Sequence, residues 1–165
     1  MKVVFTKSTG VVAFLIRNLT GSTASHVALE LDDGTFLQAD QGGVQISDLK
    51  AFLLNNTRTI IAKFEPTPET LPFIDLAWAK SKIGADYDYV GLVGDLVPML
   101  SYRWFHLKMG DPFGSVKRFW CSEFCAESDT QKKIPEFQVV NPRTVSPGEL
   151  LDAMRKGKSF TELKL

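Results

Sequence analysis

An α+β fold, with an antiparallel β-sheet packed against helices, is what this 165-residue sequence predicts. Three observations carry the prediction. Apolar and polar residues alternate over residues 25 to 31 and again over 35 to 40, the period of half-buried strands. Thr57 to Phe64 is a β-branched and apolar run. Helical spacing and helix caps dominate after Pro68, so strands come first and helices mainly afterwards. The length suits one domain with a single core, spanning residues 1–165, and there is no internal repeat, low-complexity stretch or linker.

Taken in order, Val3, Val4 and Phe5 form a first short strand. Ser8 and Thr9 offer caps for a helix running to about Leu19, which Gly21 ends. That helix would show Val12, Leu15, Ile16 and Leu19 on one face. The strands at 25–31 and 35–40 are joined by Asp32-Asp33-Gly34, where Gly34 is free to take positive φ. Residues 43 to 46 make a further short strand, and Ser47 is positioned to cap a helix over Asp48 to Leu54. After the Thr57–Phe64 strand, Pro66 and Pro68 close the segment. Pro68 to Ile83 reads as a helix with Leu71, Ile74, Ala77 and Trp78 on its apolar face and Gly84 after its end. Residues 88 to 107 read as apolar helix with a break at Pro98, and 110 to 116 as a Gly/Pro loop leading to Cys121. Cys121 to Thr130 reads as a helix and Pro135 to Val145 as extended chain. Ser146-Pro147-Gly148-Glu149 opens a last helix with Leu150, Leu151 and Met154 on one side.

The hairpin fixes a register. With Gly34 in the left-handed position of a three-residue loop, Leu31 faces Thr35, Leu29 faces Leu37 and Val27 faces Ala39, making one apolar face. Ala28 then faces Gln38 and His26 faces Asp40 on the other, so His26, Gln38 and Asp40 share a face that a one-residue slip would divide. His26 is the candidate base, oriented by the amide oxygen of Gln38.

Charge and composition narrow the function classes. Lys plus Arg equals Asp plus Glu, 19 against 19, so no net charge favours nucleic acid or an acidic membrane surface. Two cysteines make no disulfide framework and point to a reducing compartment. The apolar run from Val11 to Ile16 is broken by Arg17 and lacks a small-residue cleavage site, so the expected location is cytoplasmic unless another route exports the chain. Membrane contact is not indicated, and the oligomeric state is open.

The chemistry centres on Trp120-Cys121-Ser122-Glu123-Phe124-Cys125. It puts a thiol at a helix start, where the helix dipole and free N–H groups favour a thiolate. His26 is one of two histidines, and an imidazole within reach would hold that thiolate or shuttle its proton. The Cys121 backbone N–H is a candidate oxyanion donor. Cys125, one turn later, is expected in the core, and Glu123 is a first-turn carboxylate suited to the dipole. His106, among Trp104, Phe105 and Leu107, reads as a packed or surface side chain. A Cys-x₃-Cys pair without a His or further Cys at ligand spacing gives no metal site.

Ser25-His26-Val27, then Gln38-Ala39, then Gly84-Ala85-Asp86-Tyr87-Asp88-Tyr89, then Cys121-Ser122-Glu123 resembles the circularly permuted papain-like hydrolases. These are the NlpC-type superfamily in its YiiX-like amidase branch, with the lecithin retinol acyltransferase group as relatives. The resemblance implies a permuted papain-like fold, with Cys121 as nucleophile, His26 as general base and no cofactor. Gln38 stands where that branch often has Glu or His, so its amide would fix the ring without stabilising an imidazolium, unless Asp40 supplies the charge. Tyr87 matches a tyrosine kept near the site. With Asp40 it is the candidate for substrate or oxyanion contacts. The implied function is thiol-dependent cleavage of an amide, peptide or isopeptide-like, through a thioester. Two alternatives stand beside it: a lipid acyltransferase or phospholipase whose acyl groove would involve Val90 to Trp104, and a non-catalytic binding module on this scaffold.

Overall fold

In a computed structural model, six strands form one antiparallel sheet packed against helices. The structure describes residues 1–10, 13–14, 17–18, 21–54, 57–88, 118–138 and 145–165. The strands of the sheet are β1 (Lys2–Ser8), β2 (His26–Glu30), β3 (Phe36–Asp40), β4 (Gly43–Ser47), β5 (Arg58–Pro66) and β8 (Phe160–Glu162). Their order across the sheet is β4-β3-β2-β1-β5-β8. A separate parallel pair joins β6 (Asp86–Tyr87) to β7 (Arg118–Phe119). The helices are α1 (Leu49–Phe52), α2 (Leu76–Ser81), α3 (Cys121–Glu127), α4 (Pro135–Gln138) and α5 (Pro147–Lys156), with a 3₁₀ turn at Leu71–Phe73. The α+β expectation holds.

The β2–β3 hairpin has the register that its turn residues require. Gly34 takes φ +81°, Leu31 N–H donates to Thr35 O at 2.8 Å, and Leu29 and Glu30 pair with Leu37 and Phe36. Alternation then sorts the side chains. Val27, Leu29, Leu37 and Ala39 join Val3, Phe5, Ala62 and Phe64 against Phe124 of α3 and Leu150, Leu151 and Met154 of α5. Ala28 and Phe36 lie on the other face with Val4 under Phe52, whose ring stacks on Phe36 at 4.0 Å.

Helix caps explain where the expectations hold and where they fail. Ser146 Oγ accepts the Glu149 N–H at 3.2 Å, and Glu149 Oε2 accepts the Ser146 N–H at 2.8 Å, so α5 starts as expected. Asp48, not Ser47, caps α1, because its carboxylate accepts the Ala51 N–H at 2.7 Å. The single helix expected from Pro68 to Ile83 is divided. Pro72 has no N–H, Ile74 is extended at ψ 104°, and the Asp75 N–H donates to Ser128 O at 2.7 Å. The Asp75 carboxylate then accepts the Trp78 N–H at 2.8 Å and starts α2. Pro135–Gln138 is helical rather than extended. Pro135 occupies a first-turn position, and Asp129 accepts the N–H groups of Lys133 and Ile134 at 3.0 and 2.7 Å just upstream. The strand Phe160–Glu162 was not anticipated and pairs with β5 at the sheet edge.

Ala13, Phe14, Arg17 and Asn18 are helical, as expected of the first helix. Its expected face of Val12, Leu15, Ile16 and Leu19 lies outside the described residues. So do Tyr89, the segment 90–107 with its break at Pro98, His106, and the loop 110–116.

Candidate active site

His26 opens β2 opposite Thr6 of β1 and is 4 % exposed. Its Nε2 lies 2.7 Å from Gln38 Oε1 on β3. The same oxygen accepts Arg58 Nη1 at 3.1 Å, while Gln38 Nε2 donates to Ser47 Oγ at 2.9 Å. The ring also packs against Phe52, with centroids 6.2 Å apart. Thus the hairpin brings His26 and Gln38 together on one face.

Asp40 shares that neighbourhood, but its partner is Arg58. Arg58 Nη2 donates to Asp40 Oδ2 at 2.8 Å, and Asp40 Oδ1 accepts the Gln41 N–H at 2.8 Å. Arg58 also donates from Nη1 to Phe52 O at 3.0 Å and from Nε to Ser8 Oγ at 3.3 Å. Its guanidinium sits 5.3 Å from the centre of the Phe52 ring. Sequence reasoning did not single out Arg58. The available signal was a cation heading an otherwise apolar run, Arg58-Thr59-Ile60-Ile61-Ala62, where burial requires it to find partners.

Cys121 is the first residue of α3 and is 1 % exposed, inside the apolar cluster with Val27 and Ala39. The Val27 N–H, one residue after His26, points at its sulfur, as does the Ser122 N–H. The Val27 contact follows from the sheet. Since Leu31 N–H donates across to β3, the odd residues of β2 aim their N–H groups that way. The β2–β3 pairing runs through Leu29↔Leu37, and at Val27 the thiol takes the next N–H in that series. The sulfur therefore lies near the Val27 N–H, one residue along the backbone from His26. The His26 ring lies on the Gln38 face of β2 and the body of α3 on the other, and no hydrogen bond joins the Cys121 sulfur to the ring, so the direct sulfur–imidazole contact expected of the pair is not made here.

Local contacts hold α3 in place. Glu123 Oε2 accepts the Trp120 N–H at 3.4 Å, and Ser122 Oγ donates to Val145 O at 2.5 Å. Phe124 stacks on Trp78 and meets Phe119 edge-on, with centroids 6.0 and 6.2 Å apart. Cys125 is buried, as expected of a core thiol. Tyr87 pairs with Phe119, two residues before Cys121, and packs partly buried against the same cluster. Its strand is tied to β4 by Val44 N–H to Ala85 O at 2.8 Å. Gly43 allows that approach, because a Cβ there would lie 2.3 Å from Ala85 O.

Burial sets the protonation states. It pushes the Cys121 thiol up to about 11, with Asp40 adding to the rise and the Val27 N–H, Arg58 and the Ser122 N–H opposing it. The stabilisation expected at the helix start is present but outweighed by desolvation. Burial also lowers His26 to about 4, helped by the charge of Arg58 and opposed by Asp40 and the Gln38 hydrogen bond. Burial works to raise the Asp40 carboxyl, but the charges of His26 and Arg58 hold it below the usual carboxylate range. At neutral pH the thiol and the imidazole are therefore both uncharged. Among the described residues, no group of three or more His, Cys, Asp or Glu is placed to hold a metal ion.

No protein-family model matches the chain. The chain is similar to the probable lipoprotein peptidase YaeF of Escherichia coli (strain K12), at 26% identity over 170 aligned positions. The alignment covers 89% of this chain and 60% of that protein, so the chain spans about three-fifths of the length of the curated relative it matches.

Proposed function

We propose that the chain is a thiol-dependent hydrolase of the permuted papain-like type. It would cleave an amide bond, peptide or isopeptide-like, with Cys121 as nucleophile, His26 as base and Gln38 as the group that holds the ring. One observation carries the reading. The Cys121 thiol is influenced by the N–H of Val27, the residue that follows His26, and one nitrogen of the His26 ring is already engaged by Gln38. The likeness to a protein named as a probable peptidase supports it.

In the proposed reaction the sulfur attacks the carbonyl carbon as its proton passes to His26 Nδ1. The tetrahedral oxyanion would be met by N–H donors at the α3 start, and Tyr87 would contact the substrate. The imidazolium then protonates the leaving amine, the C–N bond breaks, and a thioester remains on Cys121. Water, deprotonated by His26, attacks the thioester, and the acid and free thiol are released. Starting from a neutral pair, the proton transfer must accompany attack. The ring nitrogen and sulfur must come within about 3–4 Å of each other during turnover. The substrate is a peptide, amide or acyl compound, and no nucleic acid is involved. Among the described residues no helix is long and apolar enough to cross a membrane. A cytoplasmic location remains part of the proposal, to be tested by fractionation.

The 1 % exposure of Cys121 and its raised pKa favour one second reading, a binding module that keeps the scaffold without turnover. Intact-mass measurement separates the two readings. The chain is incubated with a panel of peptide amides, isopeptides and acyl lipids, and acyl adducts are read after an acid quench. The hydrolase reading expects an adduct on Cys121, its loss in Cys121→Ala, and its retention in Cys125→Ala. Hydrolysis that persists in Cys121→Ala would overturn the reading. An inert Cys121 across the panel, with saturable binding, would establish the module. Turnover confined to the lipids would identify a lipid acyltransferase or phospholipase.

A further inference from the structure

We infer that Arg58 is a positioning residue that selects the ring tautomer of His26 by locking the orientation of the Gln38 amide. The inference rests on the proposed role of His26 as base.

An amide side chain has an oxygen end and an NH₂ end, and a carboxamide against a histidine ring can turn either way. Here only one orientation is permitted. The guanidinium of Arg58 has five N–H donors and no acceptor, so the Gln38 atom 3.1 Å from Nη1 must be the oxygen. That oxygen is also the atom 2.7 Å from His26 Nε2. An oxygen facing Nε2 requires Nε2 to carry the proton, so in the neutral ring the lone pair lies on Nδ1. The other end of the amide agrees, since Gln38 Nε2 donates to Ser47 Oγ at 2.9 Å. The nitrogen left basic is the one the proposed mechanism needs.

Arg58 cannot turn away from this task. It is 5 % exposed and is held by Asp40 on β3, the Phe52 carbonyl and the Ser8 hydroxyl of β1. The charged groups facing the ring are Arg58 from β5 and Asp40 from β3. They form an ion pair, so the clamp adds little net charge beside the ring. Asp40 therefore holds the guanidinium in place as its hydrogen-bonded partner, and acts on the ring itself only by its charge.

The test reads the tautomer directly, by two-bond ¹H–¹⁵N correlation of the histidine rings in the full ¹⁵N-labelled chain at neutral pH. A His106→Gln variant assigns His26. The wild type should show a single Nε2–H tautomer. Arg58→Lys keeps a donor-only head and should retain it. Arg58→Met/Asp40→Asn removes the clamp without stranding a charge, and should raise the Nδ1–H form from under about one-tenth to about half of the population. If that variant is unfolded by circular dichroism, Arg58→Gln/Asp40→Asn makes the same comparison, since a glutamine can offer either end of its amide. A wild-type ring in the Nδ1–H form would overturn the inference. So would an unchanged single tautomer in either folded double variant. None of these outcomes depends on whether Cys121 turns over. An inert Cys121 with the expected tautomers would sink the proposed hydrolase and leave the clamp standing.

Discussion

The two faces of the same sheet bury their residues on different terms. Against α3 and α5, Val27, Leu29, Leu37 and Ala39 pack with Phe5, Phe64, Phe124 and Leu150, and the two thiols Cys121 and Cys125 are buried among them. On the other face, Ala28 and Phe36 share space with His26, Gln38 and Arg58, all at most 5 % exposed. Both sets come from the same strands by simple alternation. The apolar face is indifferent to the identity of any one neighbour so long as volume is filled. The polar face is not, because each buried donor or acceptor needs a specific partner. A sheet that buries a histidine, an amide and an arginine gives up stability that leucines would supply, and such places are candidates for function.

Breaking one partner on the polar face should have the largest effect. Arg58→Met leaves Asp40, Gln38 Oε1 and the Phe52 carbonyl without their cation. It should destabilise the protein by about 2–4 kcal/mol in urea unfolding, with Arg58→Met/Asp40→Asn recovering much of that loss. Equal losses in the single and double variants would show that packing of the long side chain, and not its charge, is what β5 supplies.

Opposite pH limits should separate the faces next. His26 has a folded pKa lowered from 6.5 to about 4, so its contribution is fully present above pH 6.5 and is lost as pH falls through 4. A tenfold change in proton affinity is worth about 1.4 kcal/mol, so roughly 3 kcal/mol should disappear across that window. His26→Gln should flatten it. The apolar face fails at the other end. The folded pKa of Cys121 is raised from 9.0 to about 11, so stability is complete below 9.0 and is lost as pH rises through 11. Cys121→Ala should remove the Cys121 share of the alkaline loss, leaving the share of Cys125, whose thiol is also pushed up by burial, and should leave the acid limb unchanged. Acid and alkaline limbs that both respond to one substitution would mean the faces are coupled.

The smallest contrast pairs one substitution on each face. Gln38→Leu removes the partner of His26, Arg58 and Ser47 and should cost about 1–3 kcal/mol. Cys125→Ser places a hydroxyl among apolar neighbours and should cost about 1–2 kcal/mol, with any Cys121-dependent activity retained. Thermal melts rank the two. A larger loss for Cys125→Ser would make the apolar face the more sensitive of the two.

Much of this was legible before folding is considered, and the reason is range. Asp32-Asp33-Gly34 sets the hairpin because turn geometry depends on a few adjacent dihedrals, and that alone places His26 and Gln38 on one face. The Ser146–Glu149 cap and the alternation of β2 are local in the same way. What tertiary structure decided are matters of contact between distant segments. Asp75 restarts a helix after its N–H is taken by Ser128, 53 residues on (128 − 75). Asp40, which sequence alone leaves as an alternative orienter of His26, is taken by Arg58 from another strand. The helix start at Cys121 favours a thiolate by local electrostatics, yet burial in the assembled core raises the thiol. Propensity, turn chemistry and caps act over a handful of bonds and can be read along a chain. Desolvation, and the partner a buried charge will find, are set by which surfaces close over it, and those come from residues far apart in sequence.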